Sequence, residues 1–203
     1  MKTQTLLAGA AMVLMTSFLA GAAGAVELVQ NGGFETGDFT DWTLTGNTGA
    51  TYVGTSPNAP HSGAWAAELG AVGSDDFMSQ VLTTTAGQVY NLSFWHIYAP
   101  NAGPIGNFAV LWNNVAVFGP VPSQSPPTPQ VWTQYNLQVT GTGSDTLTIE
   151  SRNDPSEQGI DDISVTAAVR GGVPEPATWA LLLSGFFGAG ALLRRRRGAM
   201  AAA

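Results

Sequence analysis

Between residues 26 and 172 apolar and polar residues alternate with period two, and no stretch shows helical periodicity, which confines this part of the chain to sheet. Tyr90, Leu92 and Phe94 alternate with Asn91, Ser93 and Trp95. Phe108, Val110 and Trp112 follow, and Asn113-Asn114 is a tight-turn signal before Val115, Val117 and Phe118. Thr133, Tyr135, Leu137 and Val139 form one face against Gln134, Asn136 and Gln138, and Leu147 and Ile149 repeat the pattern against Thr146, Thr148 and Glu150. Each strand hides one side and wets the other, as in an antiparallel sandwich. Residues 119–130 hold five prolines and read as a loop, because proline cannot donate to a ladder. No repeat of fixed period is evident, so an all-β jelly-roll sandwich is expected over residues 26–172 rather than a propeller or solenoid.

The ends of the chain follow other rules. Residues 1–25 carry one positive charge at Lys2, an apolar run over residues 6–20 and small residues ending in Ala23-Gly24-Ala25, the order of a signal peptide cleaved after Ala25. Residues 173–197 begin Val173-Pro174-Glu175-Pro176 and continue as an uncharged run into Arg194, Arg195, Arg196 and Arg197. A transmembrane helix over about 177–193 would be roughly 25 Å long, marginal for a hydrocarbon core of about 30 Å. The arginines stay cytoplasmic, residues 198–203 form a short cytoplasmic tail, and the sandwich faces outward. The expected product is an exported, membrane-anchored precursor processed by signal peptidase.

Charge narrows the partners. Of 14 acidic residues, 13 lie between Val26 and Val173, where only Arg152 and Arg170 are basic, so this interval carries 2 − 13 = −11. Such a domain repels phosphate backbones, which excludes nucleic acid and leaves cations as the likelier charged partners. There is no cysteine, hence no disulfide, thiolate metal site or cysteine nucleophile.

One position breaks the alternation: Asp161 shares its face with Ile163 and Val165, and an unpaired buried carboxylate is costly. Either a cation compensates it or it lies beyond the sandwich edge in water. His61 and His96 fit no metal-ligand spacing and read as polar surface or edge residues. Asp75-Asp76 and the acidic residues of 154–157 read as solvated loop charges. Glycoside cleavage would need two carboxylates facing each other across a cleft.

The C-terminal segment resembles the PEP-CTERM sorting signal over 25 residues: Pro174-Glu175-Pro176, a Gly-rich apolar helix, then Arg194 to Arg197, with residues 198–203 as an unusual extension. The resemblance implies recognition by an exosortase and delivery to the cell surface or extracellular matrix of a Gram-negative, exopolysaccharide-producing bacterium. Pro174 and Pro176 hold the motif extended, and Glu175 supplies a charge just outside the bilayer. Upstream, Asn31-Gly32-Gly33-Phe34-Glu35-Thr36-Gly37 with Trp42, His61-Ser62-Gly63, residues 88–95 and Gly159-Ile160-Asp161-Asp162-Ile163-Ser164-Val165 resemble galactose-binding-like carbohydrate-binding modules.

That second resemblance implies a structural calcium between Glu35 and Asp161, with carbonyls near Asn31 and Gly63 as helpers. The alternative for these carboxylates is a turn hydrogen-bonding role. It also directs attention to aromatics that could stack on a pyranose. Trp42 and Trp112 fall on core positions, whereas Trp95 points away from Tyr90, Leu92 and Phe94. Trp132 lies on the face of Gln134, Asn136 and Gln138, and with Tyr98 these two are the candidate ligand contacts. The expected function is noncatalytic binding of extracellular polysaccharide, with a jelly-roll hydrolase or lyase, or a purely structural envelope protein, as alternatives.

Overall fold

The computed structural model describes residues 25–98, 105–122, 131–168 and 182–186. Its strands are β1 (Thr43–Gly46), β2 (Tyr52–Gly54), β3 (Ala66–Leu69), β4 (Asp76–Thr83), β5 (Val89–Ile97), β6 (Ile105–Trp112), β7 (Val115–Pro122), β8 (Thr133–Thr140), β9 (Ser144–Asp154) and β10 (Gln158–Ala167). They form two five-stranded sheets, in the orders β1-β4-β9-β6-β7 and β2-β3-β10-β5-β8, and every ladder is antiparallel. This is the expected all-β sandwich.

The alternating apolar residues supply the space between the sheets. Leu92 and Phe94 of β5, Phe108 and Val110 of β6, and Leu147 and Ile149 of β9 are buried together with Ile160 and Val165 of β10. Phe94 sits 5.3 Å from Tyr135 and 5.8 Å from Phe108, so aromatic rings tie the two sheets. Trp42 closes one end: it stacks on Phe34 at 6.1 Å, and its Nε1 donates to the Asn31 carbonyl at 3.1 Å. The Asn113-Asn114 turn joins β6 to β7 with φ of 53° and 63°, the left-handed pair a two-residue hairpin demands.

Two expectations are corrected. The prolines at 120 and 122 do not end the strand: β7 runs through both to Pro122. It pairs only with β6 and forms the sheet edge, where a missing N–H costs nothing, and a register irregularity beside Val110 absorbs Gly119. The rest of the expected loop, residues 123–130, lies outside the described residues. The second correction concerns Asp161, which does not share a face with Ile163 and Val165. It pairs with Trp95, and Ser164 pairs with Ser93, so β10 takes three residues where β5 takes two. Asp162, at φ 50°, is the inserted residue of this bulge, and it turns Asp161 to the outer face while Ile163 and Val165 stay inside.

The signal peptide up to Gly24, the motif Pro174, Glu175 and Pro176, and the cluster Arg194, Arg195, Arg196 and Arg197 lie outside the described residues. Of the expected transmembrane helix, residues 182–186 are described and are helical. Among the described residues no helix is long and apolar enough to cross a membrane.

Candidate functional site

The outer face of the second sheet gathers most of the candidates. Register sets Asn91, Ser93 and Trp95 of β5 opposite Gln138, Asn136 and Gln134 of β8, and residues opposite one another in an antiparallel pair share a face. One end of this face is therefore amide-rich and the other aromatic. An open groove of about 350 Å³ is lined by Asn91, Asn136, Leu137 and Gln138, and Gln138 Nε2 donates to Asn91 Oδ1 at 3.4 Å.

At the aromatic end the connection from β2 to β3 lies over the sheet. His61 stacks on Trp95 with ring centroids 3.7 Å apart and planes 16° from parallel, and it meets Trp132 edge-on at 5.9 Å. Trp132 Nε1 donates to the Ala59 carbonyl at 3.0 Å, which holds the indole against the same connection. The structure thus unites Trp95 and Trp132 and separates Tyr98 from them. Tyr98 packs edge-on against His96 at 4.5 Å, and His96 faces the core.

His96 is not the surface residue its sequence suggested. It is 1% exposed, stacks on Phe108 at 4.0 Å, and its Nε2 lies 3.0 Å from Gln158 Oε1. Burial lowers its pKa to about 4, so the ring is neutral at physiological pH.

Carboxylates pin the connection down. Asp161 is fully buried, and its Oδ2 accepts from the His61 and Ser62 N–H groups at 2.9 and 3.1 Å. Asp162 meets His61 Nδ1 at 2.6 Å and accepts from Ser62 Oγ at 2.8 Å. Glu35 Oε1 accepts from the Ala64 and Trp65 N–H groups at 2.9 and 3.1 Å, and Glu68 accepts from Asn58 N and Nδ2 at 3.1 and 2.8 Å. Burial drives the Asp161 carboxyl up to about 6 and the Glu68 carboxyl up to about 7.

Glu35 and Asp161 do converge on one turn, by hydrogen-bonding to it. A Cβ on Gly63, whose φ is +61°, would sit 2.2 Å from Glu35 Oε1, so glycine is required there. The Asn31 carbonyl is engaged by Trp42 Nε1 and by the Phe34 N–H at 3.2 Å. The donor chemistry is all hard oxygen and suits calcium. Among the described residues, however, no three carboxylate or imidazole side chains are grouped to hold a metal ion.

His61, Asp162, Asn58 and Glu68 were not singled out as site residues from the sequence. The doublet Asp161-Asp162 was the usable signal, since Asp tolerates the left-handed conformation a bulge needs. Asp76 and Asp154 are not the solvated loop charges expected: each belongs to a strand, at the start of β4 and the end of β9. Asp76 is buried and accepts from Ser151 Oγ at 2.5 Å and from Thr51 Oγ1, and Asp154 Oδ2 accepts from Arg152 at 2.6 Å while its Oδ1 accepts from the Gly73 N–H at 2.9 Å.

By sequence, no protein-family model matches the chain and no curated protein matches it. Solved structures do. A family 61 carbohydrate-binding module, TmCBM61, solved with β-1,4-galactotriose, superposes with a TM-score of 0.55 at 22% identity over 71% of this chain and 100% of that one. The two share one sandwich fold. The K3 cleaved adhesin domain of Lys-gingipain from Porphyromonas gingivalis shares it, with a TM-score of 0.52 and 19% identity over 70% of this chain and 99% of that one. So does the family 22 xylan-binding domain of Paenibacillus barcinonensis Xyn10C, with a TM-score of 0.50 and 15% identity over 72% and 97%.

Proposed function

We propose that this chain is an exported cell-surface protein whose sandwich binds glycan chains without cleaving them, through the outer face of β5 and β8. The observation that carries the reading is the register of that face, which sets stacked rings (His61 on Trp95, beside Trp132) at one end of a row of uncharged amides. Rings stack on the apolar face of a pyranose while amides bond its hydroxyls. Solved neighbours named for a bound galactotriose and for xylan binding support the same choice. Because His61 covers Trp95, the surface offered outward is imidazole backed by indole.

Trp95→Ala removes that backing and is expected to weaken binding about fivefold, in line with stacking contributions near 1 kcal/mol. Glycan-array screening followed by calorimetry on the best oligosaccharide would measure this. Unchanged affinity in a folded variant would move the site elsewhere, and release of reducing ends from the polysaccharide would establish the hydrolase alternative.

Export and exosortase sorting are proposed from the terminal segments. Mass spectrometry of the surface-exposed form is expected to find Val26 at the N-terminus and no Arg194–Arg197 cluster. A mature protein that retains either end would count against this part of the reading.

A structural calcium at Glu35 and Asp161 is proposed beside it, because these two carboxylates bond one turn, Asp161 at His61 and Ser62 and Glu35 at Ala64 and Trp65. A carboxylate oxygen bonded to one N–H keeps a further lone pair, so the ion could take those oxygens and complete its shell with backbone carbonyls or water. Its role would be to tie the first turn to β10. Calcium added to chelator-treated protein is expected to raise the melting temperature by several degrees, and identical melting curves would leave the hydrogen bonds as the whole of the stitch.

A further inference from the structure

On the glycan-binding reading above, we infer that the outer face of β5 and β8 selects uncharged polysaccharides and rejects those rich in uronate or sulfate. The described residues hold 13 acidic residues and one basic one, Arg152, a sum of 1 − 13 = −12, Arg170 lying outside them. That one guanidinium belongs to β9 in the other sheet and is closed by Asp154 at 2.6 Å, so it is not available to a ligand on the second sheet.

Around the candidate face the charges are of one sign. Asp161 and Asp162 stand at its aromatic end, with the Asp162 side chain about one-third exposed. Glu27 adds a further carboxylate beside β10, accepting from Ser164 Oγ at 2.5 Å and the Val165 N–H at 2.8 Å. Among the described residues His61 is the one imidazole there, and its Nδ1 is already turned to Asp162.

The groups that would touch sugar hydroxyls are neutral amides, which donate and accept equally well and hold no preference for an anion. From Asn91 to Trp95 the row extends about 13 Å along the strand, the length of an oligosaccharide rather than of one sugar ring. A chain carrying a carboxylate on every residue would meet this acidic surface repeatedly, with no basic side chain among the described residues of the second sheet to receive it.

The full-length protein in mild detergent can be tested against galactan, xylan and glucomannan as neutral probes and polygalacturonate and alginate as acidic ones. At about 20 mM ionic strength at least one neutral polymer is expected to bind tenfold or more tighter than either acidic one. Raising salt to about 200 mM should leave the neutral affinity within twofold and narrow the gap, since screening relieves repulsion. The double variant Gln134→Lys/Gln138→Lys, at exposed positions, should recruit polygalacturonate at least tenfold. Equal or tighter binding of acidic polymers by the unmodified protein at low salt, or no recruitment by the lysine variant, would overturn the charge selection while leaving glycan binding intact. Failure of every polymer to bind at either salt would overturn both.

Discussion

Gly32→Ala is expected to destabilise the protein by about 3–5 kcal/mol and to lower its melting temperature by roughly 10 °C. A Cβ at this position would lie 2.0 Å from the Ile163 carbonyl oxygen and 3.0 Å from its carbon, and both are backbone atoms that cannot rotate aside. The clash would also break the bond from the Ile163 N–H to the Gly32 carbonyl, 2.9 Å, which fastens the first turn to β10. Because Asp161 and Asp162 sit just before Ile163, the strain would reach the turn that carries His61. Gly49→Ala is the matched control. The nearest atom to its Cβ would be 3.9 Å away, so its melting temperature should stay within a degree or two or rise slightly. Differential scanning calorimetry on both variants decides the matter, and equal curves would show that the first turn is not rigidly joined to β10.

The second large effect is a pH dependence carried by Glu68. Its folded-state pKa is raised by burial from 4.5 to about 7. Its contribution to stability is therefore fully present below about pH 4.5 and is lost as pH rises through about 7, a change of about 3 kcal/mol. Asp161, raised to about 6 in the absence of a bound cation, acts in the same direction. His96 acts in the opposite one: with its pKa lowered to about 4, it stabilises above pH 6.5 and that contribution is lost as pH falls through about 4. Glu68→Gln removes the first dependence and keeps the other two. The stability of the original protein relative to this variant should fall by about 3 kcal/mol between pH 4.5 and pH 8, whatever constant offset comes from the altered bonds to Asn58. Urea unfolding at a series of pH values measures this, and a difference that does not change with pH would refute it.

Strand identity was legible where at least two successive inner positions are apolar, as at Leu147 and Ile149 of β9. β5, β6, β8, β9 and β10 were each picked out, and the Asn113-Asn114 turn was placed correctly. β3 and β4 were not. β3 is four residues buried throughout, and β4 turns Gln80 inward between Met78 and Leu82, which erases the periodic signal. Gln80 is tolerated inside because it bonds the Gln30 N–H and the carbonyls of Gln30 and Asp41.

What the sequence by itself determined is the class of fold and the outward side of each clear strand, including Trp95 and the amides of β8. Period-two patterning is a property of neighbouring residues and survives any tertiary arrangement. What only the tertiary structure decided is the β10 bulge, the placing of His61 over Trp95, and the removal of Tyr98 and His96 to the core side. The bulge and the placing of His61 rest on contacts distant in sequence, such as Asp161 with Trp95 and His61 with Asp162. One extra residue reverses every side chain beyond it, so the face on which Asp161 stands depends on how two distant strands pair, which no local pattern records.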